Sequence, residues 1–105
     1  MVICKRVRIF SKKTLRTFWE SPGRQDAEEP LKSWYSEAEA SNWVSPATIK
    51  ALYSHASIVS DNRVVFNIGG NKYRLVVKMH YDAGRVFVRW VGTHKEYDDI
   101  DVEEV

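Results

Sequence analysis

The spacing of apolar residues changes at residue 57, and this change constrains the fold more than any other feature of the chain. Upstream, apolar side chains recur at helical intervals: Leu15, Phe18 and Trp19 fall at i, i+3 and i+4, and Leu31, Trp34, Tyr35 and Ala38 form a second such stripe. Downstream they alternate. The stretch KYRLVVKMHY, residues 72–81, sends Tyr73, Leu75, Val77 and Met79 to one face of a strand, and Lys72, Arg74, Val76, Lys78 and His80 to the other. Helices followed by a meander of alternating strands specify the α+β class, a twisted, mainly antiparallel sheet with N-terminal helices packed on one face.

Local signals place the elements. A basic first strand is expected over residues 2–10. Ser11 suits the N-cap of a helix over residues 12–20, which Ser21-Pro22-Gly23 ends. A second helix is expected over residues 27–42, with Asp26 as its cap, Glu28 and Glu29 at the positive end of its dipole, and Pro30 tolerated in the first turn. Ser45-Pro46 reads as the cap and first residue of a short helix over residues 47–53. Residues 57–59 suit an edge piece, followed by strands over residues 63–68, 72–81 and 85–91, with turns at Gly69-Gly70-Asn71 and Asp82-Ala83-Gly84. A chain of 105 residues fits a single domain, 1–105, around one core.

The alternation predicts a basic sheet face. Val64, Phe66, Ile68, Val86, Val88 and Trp90 would join the inward set. Arg63, Arg85 and Arg89 would then stand outward with Lys72, Arg74 and Lys78, with Phe87 among them, and no carboxylate lies on these three strands. Neighbouring like charges on a sheet repel, so such a face suits an anionic partner: arginine and lysine can hold phosphates while an aromatic ring stacks on a base. An ordinary solvated face of an antiparallel sheet carries the same residue types. Charge along the chain points the same way. Six of the 14 carboxylates fall within residues 96–105, which hold no Lys or Arg, so residues 1–95 carry 16 basic against eight acidic side chains, a net of +8 offset by an acidic tail.

Where the last strand runs out, Thr93-His94-Lys95-Glu96 fits the capping box, with Thr at the cap and Glu three residues later. A short C-terminal helix including Tyr97 and Ile100 is expected there. The box explains Thr93 and Glu96 but not His94. An imidazole near its ordinary pKa can act as acid or base at neutral pH. RNA cleavage needs such a group: the ribose 2′-hydroxyl attacks the adjacent phosphate, a base takes its proton, an acid protonates the 5′-oxygen, and cations stabilise the phosphorane. His94 as acid or base, with Arg74, Lys78 and Arg89 on the phosphate, meets those needs. A surface histidine after a turn is the plainer reading, and His55 and His80 are weaker candidates. A noncatalytic module that docks RNA or an acidic protein through the same sheet face would share every feature named so far.

Other classes are disfavoured. Three scattered histidines and the lone Cys4 make no metal-ligand spacing, and there is no phosphate-binding glycine loop, nucleophile elbow or dinucleotide fingerprint. Neither metal nor cofactor is expected. No apolar run approaches the length of a membrane span, no secretory signal is visible, and a single cysteine fits a cytoplasmic protein.

The run DNRVVFNIGGNKYRLVVKMHYDAGRVFVRWVGTHKEYDDID, residues 61–101, closely resembles the HigB toxins of bacterial toxin–antitoxin systems, members of the RelE superfamily. The resemblance continues upstream through SKKTLRTFWE, PLKSWYSEA and WVSPATIKALY, and so covers nearly the whole chain. It implies a RelE-like fold and a ribosome-dependent mRNA interferase, an endoribonuclease that cuts mRNA in the A site of the 70S ribosome without a metal. It also implies a HigA-type antitoxin with a helix-turn-helix domain as partner. By this resemblance Gly92-Thr93-His94 carries the catalytic histidine, and the Tyr-Arg-Leu strand carries Arg74. Lys78 and Tyr97 are looser transfers to the catalytic set, as are Lys72 and Arg89 to the RNA-binding set. Arg63, Arg85, Phe87 and Lys95 complete the surface expected to bind RNA.

Overall fold

One sheet of five strands organises the molecule: Arg8–Phe10 (β1), Ser57–Val59 (β2), Arg63–Ile68 (β3), Tyr73–His80 (β4) and Arg85–Thr93 (β5), in the order β1-β5-β4-β3-β2. This computed structural model describes residues 7–70 and 72–105, so the part of the first strand expected over residues 2–6 lies outside the described residues. The strand β1 runs parallel to β5, and the other three pairings are antiparallel. Among the described residues four α-helices accompany the sheet: Lys12–Trp19 (α1), Glu28–Glu39 (α2), Pro46–Leu52 (α3) and His94–Tyr97 (α4). This is the α+β arrangement expected from the change of period.

The first three helices bury the stripes read from the sequence. Leu15, Phe18 and Trp19 of α1 and Leu31, Trp34 and Ala38 of α2 are all buried against the inward face of the sheet. Phe66, at the centre of β3, is the hub. Its ring lies 5.4 Å from that of Trp34, 5.6 Å from Trp43 and 5.2 Å from Tyr53. Offset and edge-on aromatic pairs of this kind add to the stabilisation from burial alone.

Several expectations change. The last helix, expected to include Ile100, ends at Tyr97. The second helix starts at Glu28 and ends at Glu39, three residues short of the expected end, and Asp26 does not cap it. The Asp26 carboxylate accepts hydrogen bonds from Lys72 and Tyr73 instead. A cap must turn toward its own helix, whereas this side chain is committed to β4 and the residue before it.

The larger change concerns register. Val77 pairs with Val88, but Val76 pairs with Trp90, so Arg89 is an extra residue on β5. One inserted residue reverses the facing of everything beyond it. Trp90, expected inward, therefore faces outward, Val91 packs on the core, and Gly92 faces outward opposite Arg74.

The outward face is also less open than the alternation implied. Val65 and Val76 point outward yet are 1% and 0% exposed, and they stand apart from the main core. The C-terminal segment reaches across this face. The main-chain oxygen of Val105 accepts from Arg63 Nε at 3.2 Å, Arg63 Nη2 at 2.9 Å and Arg89 Nε at 3.3 Å, and Ser60 Oγ donates to Glu103 Oε1 at 2.8 Å. The tail thus meets these two arginines through a main-chain oxygen, and its Glu103 carboxylate meets a serine hydroxyl rather than a cation.

The aromatic hub yields a stability prediction. Phe66→Ala should lower the unfolding free energy by about 3–5 kcal/mol in urea titration, the usual effect of emptying a packed phenylalanine site. A loss under about 1 kcal/mol would mean that the surrounding rings can close the space.

Candidate active site at the end of the last strand

The site is assembled where β5 passes into α4. Thr93 closes the strand and caps the helix: its Oγ1 accepts from Glu96 N at 3.1 Å, and Glu96 Oε1 accepts from Thr93 N at 2.9 Å. The capping box expected from the sequence is present. The Thr93 amide holds the Glu96 carboxyl below its ordinary range, and Arg24 adds to this through a 2.7 Å ion pair. His94 follows as the first helical residue, and its main-chain N–H donates to Lys72 O at 3.2 Å, which ties the corner to β4. His94 Nδ1 lies 3.9 Å from Asp98 Oδ2, one helical turn on.

Arg74 reaches this corner from β4. It stands opposite Gly92, and its guanidinium lies over the Tyr97 ring, 5.0 Å from the centroid. His94 and Tyr97 are three residues apart on one helical turn and so share a side of it. Tyr97 thus ties Arg74 to the helix that His94 opens. Arg74 forms no salt bridge among the described residues, and its buried Nε has no hydrogen-bond partner. A charged donor held without a partner is costly. Cation–π contact with Tyr97 offsets only part of that cost.

The other basic residues divide by their partners. The expectation of an unrelieved basic face does not hold, because carboxylates arrive from turns rather than strands. Asp61 binds Arg63 at 2.8 Å and Lys78 at 3.2 Å, and those two cations, Lys78 foremost, hold its carboxyl below the usual range. Asp61 and the following Asn62 both adopt left-handed backbone, φ 60° and 59°, which these two residue types tolerate better than most. Asp26 pairs with Lys72. Arg89 is drawn to Val105. Lys95 is exposed on α4 beside His94.

Position separates the set further. Lys78 lies four residues along β4 from Arg74, about 13 Å at the ordinary rise per residue. Phe87 is paired with Lys78, and its ring is occupied by Phe10, stacked at 5.3 Å, and by His80 at 4.9 Å. Arg85 pairs with His80 at the far end of the sheet. The structure therefore sets Arg74 against Tyr97 on the helix that His94 opens and that also carries Lys95, and does not bring Arg85 or Phe87 to that corner. Asp26, Asp61 and Arg24 were missed because nothing local signals a pairing between distant segments. Trp90 carried a signal: hydrophobic residues at 86, 88, 90 and 91 cannot all face inward on a regular strand.

Among the described residues no group of three His, Cys, Asp or Glu side chains is placed to hold a metal, and no helix is long and apolar enough to cross a membrane. A family model described as HigB toxin, the RelE-like toxic component of a toxin–antitoxin system, matches residues 27–100. The chain belongs to the HigB toxin family. Among curated relatives of this family it is similar to the mRNA interferase toxin HigB of Escherichia coli (strain K12) and to the mRNA interferase HigB of Escherichia coli O157:H7 and of Shigella flexneri. Each is 36% identical over 55 residues, covering 50% of this chain and 53% of the relative. The chain thus spans about half the length of the curated relatives it matches. The HigB match includes Arg74, His94 and Tyr97 and stops short of Val105, so the contact that holds Arg63 and Arg89 lies beyond it.

The ion pairs of this HigB-family chain predict its acid sensitivity. Hydrogen bonds from Lys72 and Tyr73 hold the Asp26 carboxyl below its ordinary value. A depressed carboxyl contributes stability that is complete above the unfolded-state pKa and is lost as pH falls through the folded-state value. Thermal melts should therefore show wild type losing stability below about pH 4, with Asp26→Asn lacking that part of the slope. Identical acid slopes for the two proteins would contradict the pairing.

Proposed function

We propose that this protein is the toxin of a type II toxin–antitoxin pair and acts as a ribosome-dependent endoribonuclease on translated mRNA. The observation that supports this best is Arg74. Among the described residues it is a cation without a carboxylate partner, held against Tyr97 at the strand end that also delivers His94, in a chain of the HigB toxin family. An mRNA phosphate would supply the charge that Arg74 lacks.

In this reading the ribose 2′-oxygen attacks the neighbouring phosphorus, its proton passes to a base, and the bond from phosphorus to the 5′-oxygen breaks as an acid protonates the leaving oxygen. The products are a 2′,3′-cyclic phosphate and a 5′-hydroxyl. His94 serves as acid or base, and Arg74 stabilises the equatorial oxygens of the phosphorane. Tyr97 holds Arg74 in place, and Lys95 binds an adjoining phosphate. Lys78, with Lys72 and Arg89, suits flanking RNA rather than the scissile group, because each must first exchange a protein oxygen for a phosphate, whereas Arg63, expected to bind RNA, is 5% exposed and held by Asp61 and Val105. This scheme draws its positive charge from side chains and requires no metal. It places the protein in the cytoplasm, in the ribosomal A site, with a HigA-type helix-turn-helix antitoxin as its neutralising partner.

Purified protein added to translating ribosomes should cut mRNA at sites that map to codons in the A site. His94→Ala and Arg74→Ala should each slow cleavage by about 100-fold or more, the usual weight of a proton-transfer group or a charge-stabilising donor. Full cleavage by both folded variants would sink the mechanism. Binding of RNA without cutting, by wild type, would favour a noncatalytic docking module.

A further inference from the structure

We infer that Trp90 is a stacking platform for an unpaired base next to the scissile phosphate, and so helps determine which codons are cut. The inference rests on the mRNA-cleaving reading above and names a contact within it. Three observations carry it.

The first is the extra residue Arg89, which turns Trp90 to the outward face beside Val76, the face that also carries Arg74. The second is the space over Gly92. A Cβ built on Gly92 would lie 2.5 Å from both Cη2 and Cζ2 of Trp90, so the six-membered ring of the indole lies over the glycine. Gly92 is the residue opposite Arg74 and two before His94. The glycine thus lets the indole lie along the strand toward the catalytic corner, where its ring centroid is 6.1 Å from that of Tyr97. The third is exposure. Trp19, Trp34 and Trp43 are 6%, 1% and 3% exposed, whereas Trp90 is only partly buried. The aromatic residue expected from sequence to stack on a base, Phe87, already has Phe10 against its ring and stands at the other end of β5.

Any base offers a π-face, and an indole beside a phosphate-binding arginine is the pairing that single-stranded nucleic acid sites use. Trp90 therefore orients the nucleotide, while His94 and Arg74 act on the phosphate. A purely structural Trp90, present only to cover Gly92 and brace Tyr97, would alter stability without altering which codons are cut.

The test uses the full chain with an uncleavable single-stranded RNA hexamer bearing 2′-O-methyl groups, together with cleavage on programmed ribosomes. The hexamer should quench part of the tryptophan fluorescence of wild type, and Trp90→Leu should abolish that quenching because the other tryptophans are buried. Trp90→Leu should cut about tenfold more slowly, in keeping with the loss of one stacked base, and with a changed codon distribution. Trp90→Phe should restore much of the rate. Gly92→Ala provides a variant that leaves the tryptophan in the chain. Gly92 does not occupy left-handed backbone, so the added methyl meets the indole at 2.5 Å and, less closely, the Glu96 carboxylate at 3.1 Å, and this variant should resemble Trp90→Leu. Unquenched fluorescence in wild type, or unchanged codon distribution and rate in folded Trp90→Leu and Gly92→Ala, would overturn the assignment. Quenching by the hexamer without any mRNA cleavage by wild type would uphold stacking and refute the nuclease reading.

Discussion

The pairing of β4 with β5, and the single residue by which it slips, sets the rest of the site. Hydrogen bonds along an antiparallel ladder fix the facing of every side chain to a period of two. Because Arg89 is extra, Val86 and Val88 serve the core before the slip and Val91 serves it after. Trp90 and Gly92 are turned out as a consequence. Gly92 then pairs with Arg74 and leaves its side-chain space to the indole of Trp90, and Thr93 ends the strand in position to cap α4. A regular ladder would bury the indole and place Val91 against the guanidinium.

Electrostatics on the outward face follows from the turns. Strands supply the cations, and the connections between elements supply the carboxylates: Asp61 for Arg63 and Lys78, Asp26 for Lys72. The C-terminal segment adds the Val105 oxygen for Arg63 and Arg89. Arg74 stands outside this scheme. Its charge rests on the Tyr97 ring with no ion pair among the described residues. Exposed ion pairs contribute little to stability and exchange readily, so Lys72 can yield to an RNA phosphate where the buried Arg63 cannot, while Arg74 has no ion pair to exchange among the described residues.

Much of this was legible in the sequence, and the remainder was not for definable reasons. The change of period at residue 57 gives the class, and the stripes through Trp34 and Phe18 are buried as read. The box Thr93–Glu96 is a local pattern and forms as written. Inter-element pairing is different: nothing near Asp26 reveals that Lys72 and Tyr73 will claim it. The facing of Trp90 was misjudged because alternation was extended through β5, although Val91 beside it made strict alternation inconsistent with a buried core. The packing of the tail against Arg63 depends on a contact 42 residues apart, beyond any local rule.

The most direct measurement of the central idea, that Arg74 and His94 converge on one phosphodiester, is a structure of the protein on a programmed ribosome with a 2′-deoxy substitution at the cleavage site. The expected result is a phosphate within hydrogen-bond distance of both the Arg74 guanidinium and the His94 imidazole. An mRNA path that engages the tail side of the sheet, or the surface around His55, with that corner empty would contradict it.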